Sequence, residues 1–259
     1  ACGAARIADR SWRGHADYEV KTQSDNTIEI DKDALKRAFA DVTIWIFDLD
    51  NTLYPPESAL WPQVDQRITL FLGNMFGIDG LSARALQKYY YQKYGTTLKG
   101  LMDQYGMKPE PFLDFAHDID VSKLPPDPEL GHAIEALPGR KLILTNGSEA
   151  HARNVAGRLG IIDHFEAVFD IIAADFTPKP EESTYLKFLD QYQIDPSLAA
   201  MFEDLEKNLI VPHQLGMRTV LVLPKEYDIH REAEEQADSD APHIHFKTKN
   251  LAMFLREIF

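Results

Sequence analysis

Short apolar runs alternate with amphipathic stretches along most of the chain. The clearest run, residues 42–47, is apolar or β-branched throughout and predicts a strand buried on both faces of a parallel sheet. Similar runs predict strands over residues 141–145, 169–173, 200–202, 219–223 and, least distinctly, 243–246. Helical patterns cover residues 149–159, 182–193 and 205–215. The alternation predicts right-handed βαβ units and an α/β fold with a doubly wound parallel sheet.

The interval from residue 55 to residue 126 breaks this alternation, because it holds helical patterns and no convincing strand. A pair of prolines stands at each of its ends. Two apolar stripes with helical spacing come first, and two shorter helical stretches follow. The stripes are Leu60, Val64, Ile68, Phe71, Leu72 and Met75, then Leu81, Ala85, Leu86, Tyr89 and Tyr90; the shorter stretches are residues 98–105 and 111–118. We therefore predict a helical module, residues 57–124, inserted into a core of residues 41–56 and 125–259.

Two segments are predicted to be polar surface rather than core. Residues 1–40 form a polar lead-in that we expect to be poorly ordered up to about residue 25 and to end in a short helix over residues 31–39. Residues 226–240 hold seven acidic side chains and one arginine, which is typical of a solvated surface helix and loop.

Composition narrows the class of protein further. Hydrophobic residues make up 44% of the chain, which is ample for a sizeable core. The formal net charge of −14 argues against a nucleic-acid polymer or an anionic membrane as the partner. The single cysteine excludes an internal disulfide, and no apolar stretch has the length of a membrane span. We expect a cytoplasmic monomer or homodimer that acts on a small molecule.

Polar groups follow four of the predicted strands. The first strand is followed by Asp48 and Asp50, the second by Thr145, Asn146 and Gly147, the third by Lys179, and the fourth by Glu203, Asp204 and Asn208. Taken singly, the two aspartates after the first strand are equally typical of a turn with helix-capping side chains, residues 145–147 are more typical of a turn, and Lys179 is more typical of a solvated surface lysine. Because the carboxyl ends of parallel strands meet at one edge of the sheet, we expect the whole set to converge.

The converging groups suit transfer of a phosphoryl group. Asp48 is the candidate nucleophile, since a carboxylate that attacks phosphorus splits one difficult displacement into two easier ones. Asp50 lies two residues on and is the candidate general acid for the leaving oxygen, and later the base for the hydrolytic water. Asp204 adds a third carboxylate, and a Mg²⁺ ion would relieve the repulsion among these acids and a bound phosphate.

The remaining groups would bind the phosphate itself. Lys179 and the hydroxyl of Thr145 neutralise and hydrogen-bond the transferring group. Backbone N–H groups of Leu49 and Gly147 complete the cradle, and Asn146 belongs to the same phosphate-binding set. The substrate is therefore expected to be a small phosphorylated metabolite, which the local positive charge reconciles with a strongly acidic chain.

The four motifs, in this order, resemble those of the haloacid dehalogenase-like hydrolases, a superfamily made mostly of phosphatases. The resemblance covers roughly residues 42–259 and implies a Rossmann-like core with an inserted helical cap domain. It also implies that Mg²⁺ is held by Asp48, the backbone carbonyl of Asp50 and Asp204. Asn208 would lie behind these ligands and position the lysine or a metal-bound water. Glu203 stands where the superfamily commonly has glycine, and Asn208 where it has a second aspartate, which leaves one fewer carboxylate near the metal.

Three stretches resemble the pyrimidine 5′-nucleotidase branch of the superfamily: residues 50–55, residues 94–101 and residues 201–208. This resemblance implies a nucleoside monophosphate such as UMP or CMP as substrate. Phosphoglycolate or a sugar phosphate is the alternative, followed by a 2-haloacid dehalogenase reaction, in which the halide leaves without a proton and Asp50 is not needed. A phosphate-accepting signalling module and a silent binding protein are the alternatives outside enzymes.

Residues of the helical module are expected to choose the substrate. The tyrosines pack the module on the core or stack on a base, and the polar residues after them bond a nucleobase. These candidates are Tyr89, Tyr90, Tyr91, Tyr94, Thr96, Thr97 and Lys99. Lys99 is the one cation that the sequence suggests for a second anionic group. His151 is equally compatible with facing the site and with facing solvent.

Overall fold

The computed structural model describes residues 32–225 and 240–258. Within them, six strands form one parallel sheet. The strands are β1 (Ile44–Phe47), β2 (Arg140–Leu144), β3 (Ala167–Phe169), β4 (Ala199–Glu203), β5 (Arg218–Val222) and β6 (Phe246–Thr248). Their order across the sheet is β3-β2-β1-β4-β5-β6, so the doubly wound α/β prediction is confirmed. All of the acidic run except Asp240, and most of the lead-in, fall outside the described residues.

Ten α-helices accompany the sheet in the described residues. They are α1 (Lys32–Phe39), α2 (Trp61–Phe76), α3 (Gly80–Tyr94), α4 (Thr97–Tyr105), α5 (Pro109–Ala116), α6 (Pro128–Ala136), α7 (Glu149–Leu159), α8 (Glu182–Tyr192), α9 (Ile210–Gln214) and α10 (Leu251–Ile258). In this part of the chain, every helix is too short or too polar to cross a bilayer. The helix predicted over residues 31–39 corresponds to α1.

Side chains of β1 alternate between two hydrophobic cores, as the period of a strand requires. Trp45 and Phe47 face a core shared with α1, α6, α7 and α10. Ile44 and Ile46 face a second core shared with α8 and α9. Since β1 pairs with β2 on one side and β4 on the other, the chain reverses its direction of winding at β1. In open parallel sheets, this reversal leaves a crevice at the carboxyl ends of the strands.

The strand predicted over residues 169–173 is wrong for most of its length. β3 ends at Phe169, and the chain then turns, because Asp170 accepts the N–H of Ala173 at 2.8 Å and its carbonyl accepts the N–H of Ala174 at 3.0 Å. Ile171, which made this stretch look like a strand, packs instead into a hydrophobic cluster of α2–α5.

Two predictions near the end of the chain need smaller corrections. The sixth strand begins at Phe246 rather than at residue 243, because the side chain of Thr219 bonds the main chain of His243 and His245 at 2.7 and 3.2 Å. The helix predicted over residues 205–215 is divided into a 3-10 turn, Glu206–Leu209, and the short helix α9.

Helices α2–α5, here called the helical insert, lie between β1 and α6 in the chain and form their own hydrophobic cluster. The apolar stripe predicted on α3 is confirmed at Leu86 and Tyr90, which contact this cluster, and wrong at Leu81 and Tyr89, which are exposed. The buried face of α3 consists of Ala83, Gln87 and Tyr90. All four helices fall inside residues 57–124, but the boundaries of that module remain a prediction.

Gly100 lets α4 pack closely on α3, and we expect its replacement by alanine to destabilise the insert. A Cβ at this position would lie 2.6 Å from Cδ1 of Tyr90, a distance that forces one of the helices to move. Gly100→Ala is expected to lower the free energy of unfolding by about 1–3 kcal/mol in urea titrations. Gly157→Ala is the matched control: a Cβ there meets no atom within 4 Å, and helix propensity alone should raise stability by up to ~1 kcal/mol. Equal stability of the two variants would contradict this packing argument.

Candidate active site

Three acidic side chains meet where β1 and β4 end. Asp48 follows β1 directly, Glu203 is the last residue of β4, and Asp204 follows it. Carboxylate oxygens of the three lie within 4.8 Å of one another, and all three side chains are buried. The order of the sheet places β1 and β4 side by side, which is why residues 155 positions apart in sequence become neighbours.

Lys179 reaches this acidic cluster from the loop between β3 and α8. Its Nζ donates to Oδ1 of Asp48 at 2.7 Å, to the carbonyl of Leu144 at 2.9 Å and to Oε2 of Glu203 at 3.4 Å. Burial by itself lowers the pKa of Lys179, but the charges of Asp48 and Glu203 outweigh it and hold that pKa above its usual value. The lysine is therefore a charged ammonium in contact with two carboxyl groups.

The residues after β2 fix the backbone around Lys179. Asn146 accepts the main-chain N–H of Lys179 at 2.8 Å and donates to its carbonyl at 3.2 Å. Both polar ends of the amide are thus engaged with the lysine's backbone. Thr145 is buried, and its Oγ1 accepts the N–H of Gly147 at 3.0 Å. The hydroxyl proton of Thr145 can still be donated to a ligand.

Glu203 and Asn208 form a polar layer behind Lys179. Nδ2 of Asn208 donates to Oε1 of Glu203, and the carbonyl of Asn208 accepts the hydroxyl of Tyr185 at 2.8 Å. Burial, reinforced by the charge of Asp48, raises the pKa of Glu203 well above its usual value. Glu203 thus contacts the lysine on one side and the asparagine on the other.

Asp50 turns back towards the helices after Asp48. Its Oδ1 accepts the hydroxyl of Tyr54 at 2.6 Å and lies 2.8 Å from Nε2 of His151. Burial raises the pKa of Asp50, but the charge and hydrogen bond of His151, together with Tyr54, outweigh it and leave that pKa below its usual value. Burial and then the charge of Asp50 raise the pKa of Tyr54 well above its usual value, so the phenol stays a donor.

His117 and His151 complete the surroundings of Asp50, and sequence reasoning had assigned neither of them a place. His151 is buried against Asp50, so it faces the site rather than solvent. The ring of His117, at the end of α5, stacks on that of His151 with centroids 4.4 Å apart. Burial, followed by the nearby His151, lowers the pKa of His117 to about 3. No apolar period or motif marks a histidine at a helix end, so His117 had no signal in the sequence.

A cavity opens between the strand ends and the helical insert. Its walls combine the groups after the strands with residues of α2–α5 and of the turn after β4. Among the substrate-contact candidates, Tyr91, Thr96 and Thr97 line it. Lys99 instead donates to Asp103 at 2.8 Å. Lys88, Lys179 and Lys207 line the cavity and Lys99 does not, so the cation suggested from the sequence for a second anionic group is not among the lining residues.

The remaining tyrosine candidates are engaged within the insert. The hydroxyl of Tyr90 donates to Tyr105 at 3.1 Å, and Lys93 donates to Tyr89 at 2.8 Å. The ring of Tyr94 is 6.0 Å from that of Tyr90. These contacts lie within the insert, so they show neither the packing of the module on the core nor the stacking on a base that the sequence suggested for these three tyrosines.

The acidic cluster suits a hard divalent cation. Three buried carboxyl groups share one ammonium, which contacts two of them. Burial accordingly raises the pKa of Asp48 and of Glu203, so ionising all three acids in this site is unfavourable without a further positive charge. Oxygen donors at this separation match the ligands that Mg²⁺ prefers, and an ion there would supply that charge. The donor chemistry of the cluster thus fits the metal that the sequence motifs imply.

Comparison with known proteins relates this site to a family. A sequence model of the haloacid dehalogenase-like hydrolases matches residues 42–216. A Saccharomyces cerevisiae protein named phosphate metabolism protein 8 is 28% identical over 211 residues, which cover 73% of this chain and 64% of that protein. The chain therefore spans somewhat less than two thirds of this curated relative.

Solved structures share the fold at low identity. A phosphatase of the same family from Thermococcus onnurineus superposes with a TM-score of 0.53 at 18% identity, covering 84% of this chain and 97% of that one. A 2-haloacid dehalogenase from Pseudomonas syringae superposes with a TM-score of 0.52 at 17% identity, covering 84% and 98%. The shared fold thus accommodates two reactions, while the family model spans more than half of the sequence. The chain belongs to the haloacid dehalogenase-like hydrolases.

Proposed function

We propose that the protein is a phosphatase that hydrolyses a small phosphomonoester through a phosphorylated Asp48. The observation that carries the proposal is the pair of aspartates with different partners: Asp48 against Lys179, and Asp50 against Tyr54 and His151. In dehalogenation, a carboxylate displaces a halide, and the halide leaves without a proton. In phosphate ester hydrolysis, the leaving alkoxide needs a proton donor. A second aspartate held in place beside the nucleophile therefore favours phosphate ester hydrolysis over dehalogenation.

The proposed reaction has two steps. Asp48 attacks phosphorus, the ester P–O bond breaks, and the leaving oxygen takes a proton from Asp50. Asp50 then accepts a proton from a water molecule that attacks the acyl phosphate, which releases inorganic phosphate and restores Asp48. A phosphate dianion next to Asp50 raises its pKa, which opposes the lowering by His151 and favours the protonated form when substrate is bound.

The other polar groups of the site would stabilise charge on the phosphoryl group. Lys179 supplies a fixed positive charge, and Thr145 and the backbone N–H groups of Leu49 and Gly147 supply hydrogen bonds. Asn146 positions Lys179 through its backbone, and Asn208 positions Glu203. Thr145 directly follows β2, and Lys179 is held in its loop by these bonds to Asn146.

A Mg²⁺ ion fits this proposal, with Asp48, the backbone carbonyl of Asp50 and Asp204 as ligands. When bound, the ion would polarise a phosphoryl oxygen and reduce repulsion between the dianion and the carboxylates. Glu203 is already engaged by Lys179 and Asn208, which supports leaving it out of the ligand set.

Metal removal separates the two reactions of this fold. Dialysis against a chelator is expected to abolish hydrolysis of p-nitrophenyl phosphate, and Mg²⁺ is expected to restore it, because the uncompensated carboxylates repel the phosphate dianion. The same protein should release no halide from 2-chloropropionate in either state. Halide release that survives chelation, without any phosphatase activity, would contradict the proposal.

The helical insert would act as the cap over the substrate, and a pyrimidine nucleoside monophosphate is the narrower proposal. Apolar side chains of α2 and α5, including Trp61 and Phe112, line the cavity together with Tyr91 and Thr97, and such a surface suits a flat base with polar edges. Lys88 and Lys207 support a second candidate, a substrate with another anionic group such as phosphoglycolate.

A substrate panel decides between these candidates. UMP, CMP, AMP, phosphoglycolate and hexose phosphates are compared by kcat/KM with Mg²⁺ present. We expect UMP and CMP to be hydrolysed at least about 10-fold more efficiently than phosphoglycolate and the hexose phosphates, since these lack a base that contributes contact energy. AMP tests whether the site prefers a pyrimidine to a purine. Preference for phosphoglycolate or a sugar phosphate would reject the nucleotide proposal and leave the phosphatase proposal intact.

A further inference from the structure

The histidine that contacts Asp50, the proposed general acid, belongs to the core, and the ring that stacks on this histidine belongs to the helical insert. Nε2 of His151, on α7, lies 2.8 Å from Oδ1 of Asp50, and the side chain of His151 is fully buried. The ring stacked on it, at 4.4 Å between centroids and 13° between planes, belongs to His117 at the end of α5. One histidine thus comes from each part of the molecule.

A hydroxyl group fixes His117 against the core. Ser148 caps the N-terminus of α7, and its Oγ accepts the N–H of His151 at 3.3 Å. The same Oγ lies 2.9 Å from Nδ1 of His117, so the hydroxyl proton is available to that nitrogen. His117 is therefore held by a core residue that also begins the helix carrying His151.

The second ring nitrogen of His151, Nδ1, is not held by a comparable hydrogen bond among the described residues. A histidine that serves an active site usually has its ring orientation set by a hydrogen bond from its second nitrogen. Here Nδ1 of His151 is buried and has no hydrogen-bond partner among the described residues. Packing must therefore set the orientation. His117 covers one face of the ring, and at its edge Gly147 leaves so little room that a Cβ would lie 3.3 Å from Cδ2.

We propose that His117 is a positioning residue: by stacking on His151 it keeps Nε2 aimed at Asp50, so that the general acid is aligned only while the insert is packed on the core. This inference rests on the proposed phosphatase function. It gives the insert a part in the chemical step, in addition to any contact with substrate.

Comparing substrates with different leaving groups distinguishes a positioning role of His117 from a merely structural one. Nitrophenolate is a stable anion and departs with little help from an acid, whereas an alkoxide must be protonated as it leaves. Misalignment of Asp50 therefore slows hydrolysis of an alkyl phosphate more than that of p-nitrophenyl phosphate. Loss of folded protein, or of metal, lowers both rates by the same factor.

The experiment measures kcat and KM for p-nitrophenyl phosphate and for UMP with Mg²⁺. His117→Ala is expected to lower kcat for UMP at least about 10-fold and kcat for the aryl ester less than about 3-fold. His117→Phe keeps an aromatic face on His151 and is expected to retain most of the UMP rate. His132→Ala, at an exposed position on α6, is the matched control and should change neither rate.

A double-mutant cycle tests whether His117 acts through Asp50. Asp50→Asn alone should show the same preference for the aryl ester, and adding His117→Ala to it should have no further effect on the UMP rate. A second independent loss in the double variant would overturn the inference, as would equal loss on both esters in His117→Ala. If His117→Ala does not fold, His117→Phe and the cycle built on it decide the question, because equal losses on both esters again count against positioning.

The outcomes also distinguish this inference from the function on which it rests. If the unmodified protein hydrolyses neither ester with Mg²⁺, the phosphatase proposal fails and the inference fails with it. If the protein hydrolyses both esters and the ratio of their rates is the same in His117→Ala, only the positioning role is rejected.

Discussion

The Asp48→Asn variant is expected to lose at least about 10⁴-fold in kcat on p-nitrophenyl phosphate, with Mg²⁺ at saturation. The substitution removes the negative oxygen that would attack phosphorus and leaves the side chain's size almost unchanged. It also removes the carboxylate that pairs with Lys179 at 2.7 Å. Because the amide still fills the same space between β1 and β4, the variant should fold.

Two measurements make this result specific. Asp163→Asn, at an exposed position, is the matched control and should keep full activity. Rapid acid quenching of the unmodified protein during turnover should trap phosphate on the chain, and the variant should trap none. Undiminished hydrolysis by Asp48→Asn would refute the mechanism. A phosphorylated protein that persists for minutes would instead favour a signalling module.

The Lys179→Met variant is expected to lose both stability and activity. Methionine fills much of the same space, but Asp48 and Glu203 would then be buried without their ammonium, at a cost of about 3–5 kcal/mol in the free energy of unfolding. Activity should fall by about 10³-fold, since a fixed charge on the transferring group is lost. Lys249→Met, at an exposed position, is the control for both quantities.

The loss of stability in Lys179→Met should depend on pH in a defined direction. Burial, and then the charge of Asp48, raise the pKa of Glu203 well above its usual value, so the folded state binds this proton more tightly than the unfolded state. The contribution of such a group is present at low pH and disappears as pH rises through the folded-state pKa. Lys179 opposes this rise in the unmodified protein, so the pKa of Glu203 is expected to be higher still in Lys179→Met. The stability gap between Lys179→Met and the unmodified protein should thus be smaller at pH 5 than at pH 8, and Glu203→Gln should close part of it. A gap that is constant across this range would reject the ionic explanation.

Much of the sheet followed from the sequence because buried parallel strands carry a simple signal. Residues 42–47 are apolar throughout, and β1 lies inside that range. The polar groups after the strands could be placed together for the same reason, since parallel strands end at a common edge. The strand over residues 169–173 was predicted wrongly because an apolar run indicates that residues are buried, but not which element they pack against. Ile171 is buried against the insert rather than in the sheet.

The surroundings of Asp50 could not be predicted in this way. Tyr54 lies four residues from Asp50, and its role depends on the turn between them. His117 and His151 are 34 positions apart and meet only because the insert folds back over α7. Neither contact produces a periodic pattern in the sequence, because each involves single side chains at the ends of elements. On α3, likewise, the buried Gln87 interrupts the apolar stripe because it bonds Asp65 at 2.9 Å.

Ile171 bears on how this protein can be recombined with its relatives. The residue belongs to the turn after β3, yet it is a member of the hydrophobic cluster of the insert and is almost fully buried there. In an insert transplanted from another member of the superfamily, the side chains around this isoleucine would leave a cavity or overlap with it. Close-packed interiors tolerate neither well. Exchange of substrate preference by swapping inserts should therefore succeed only when position 171 is exchanged with them.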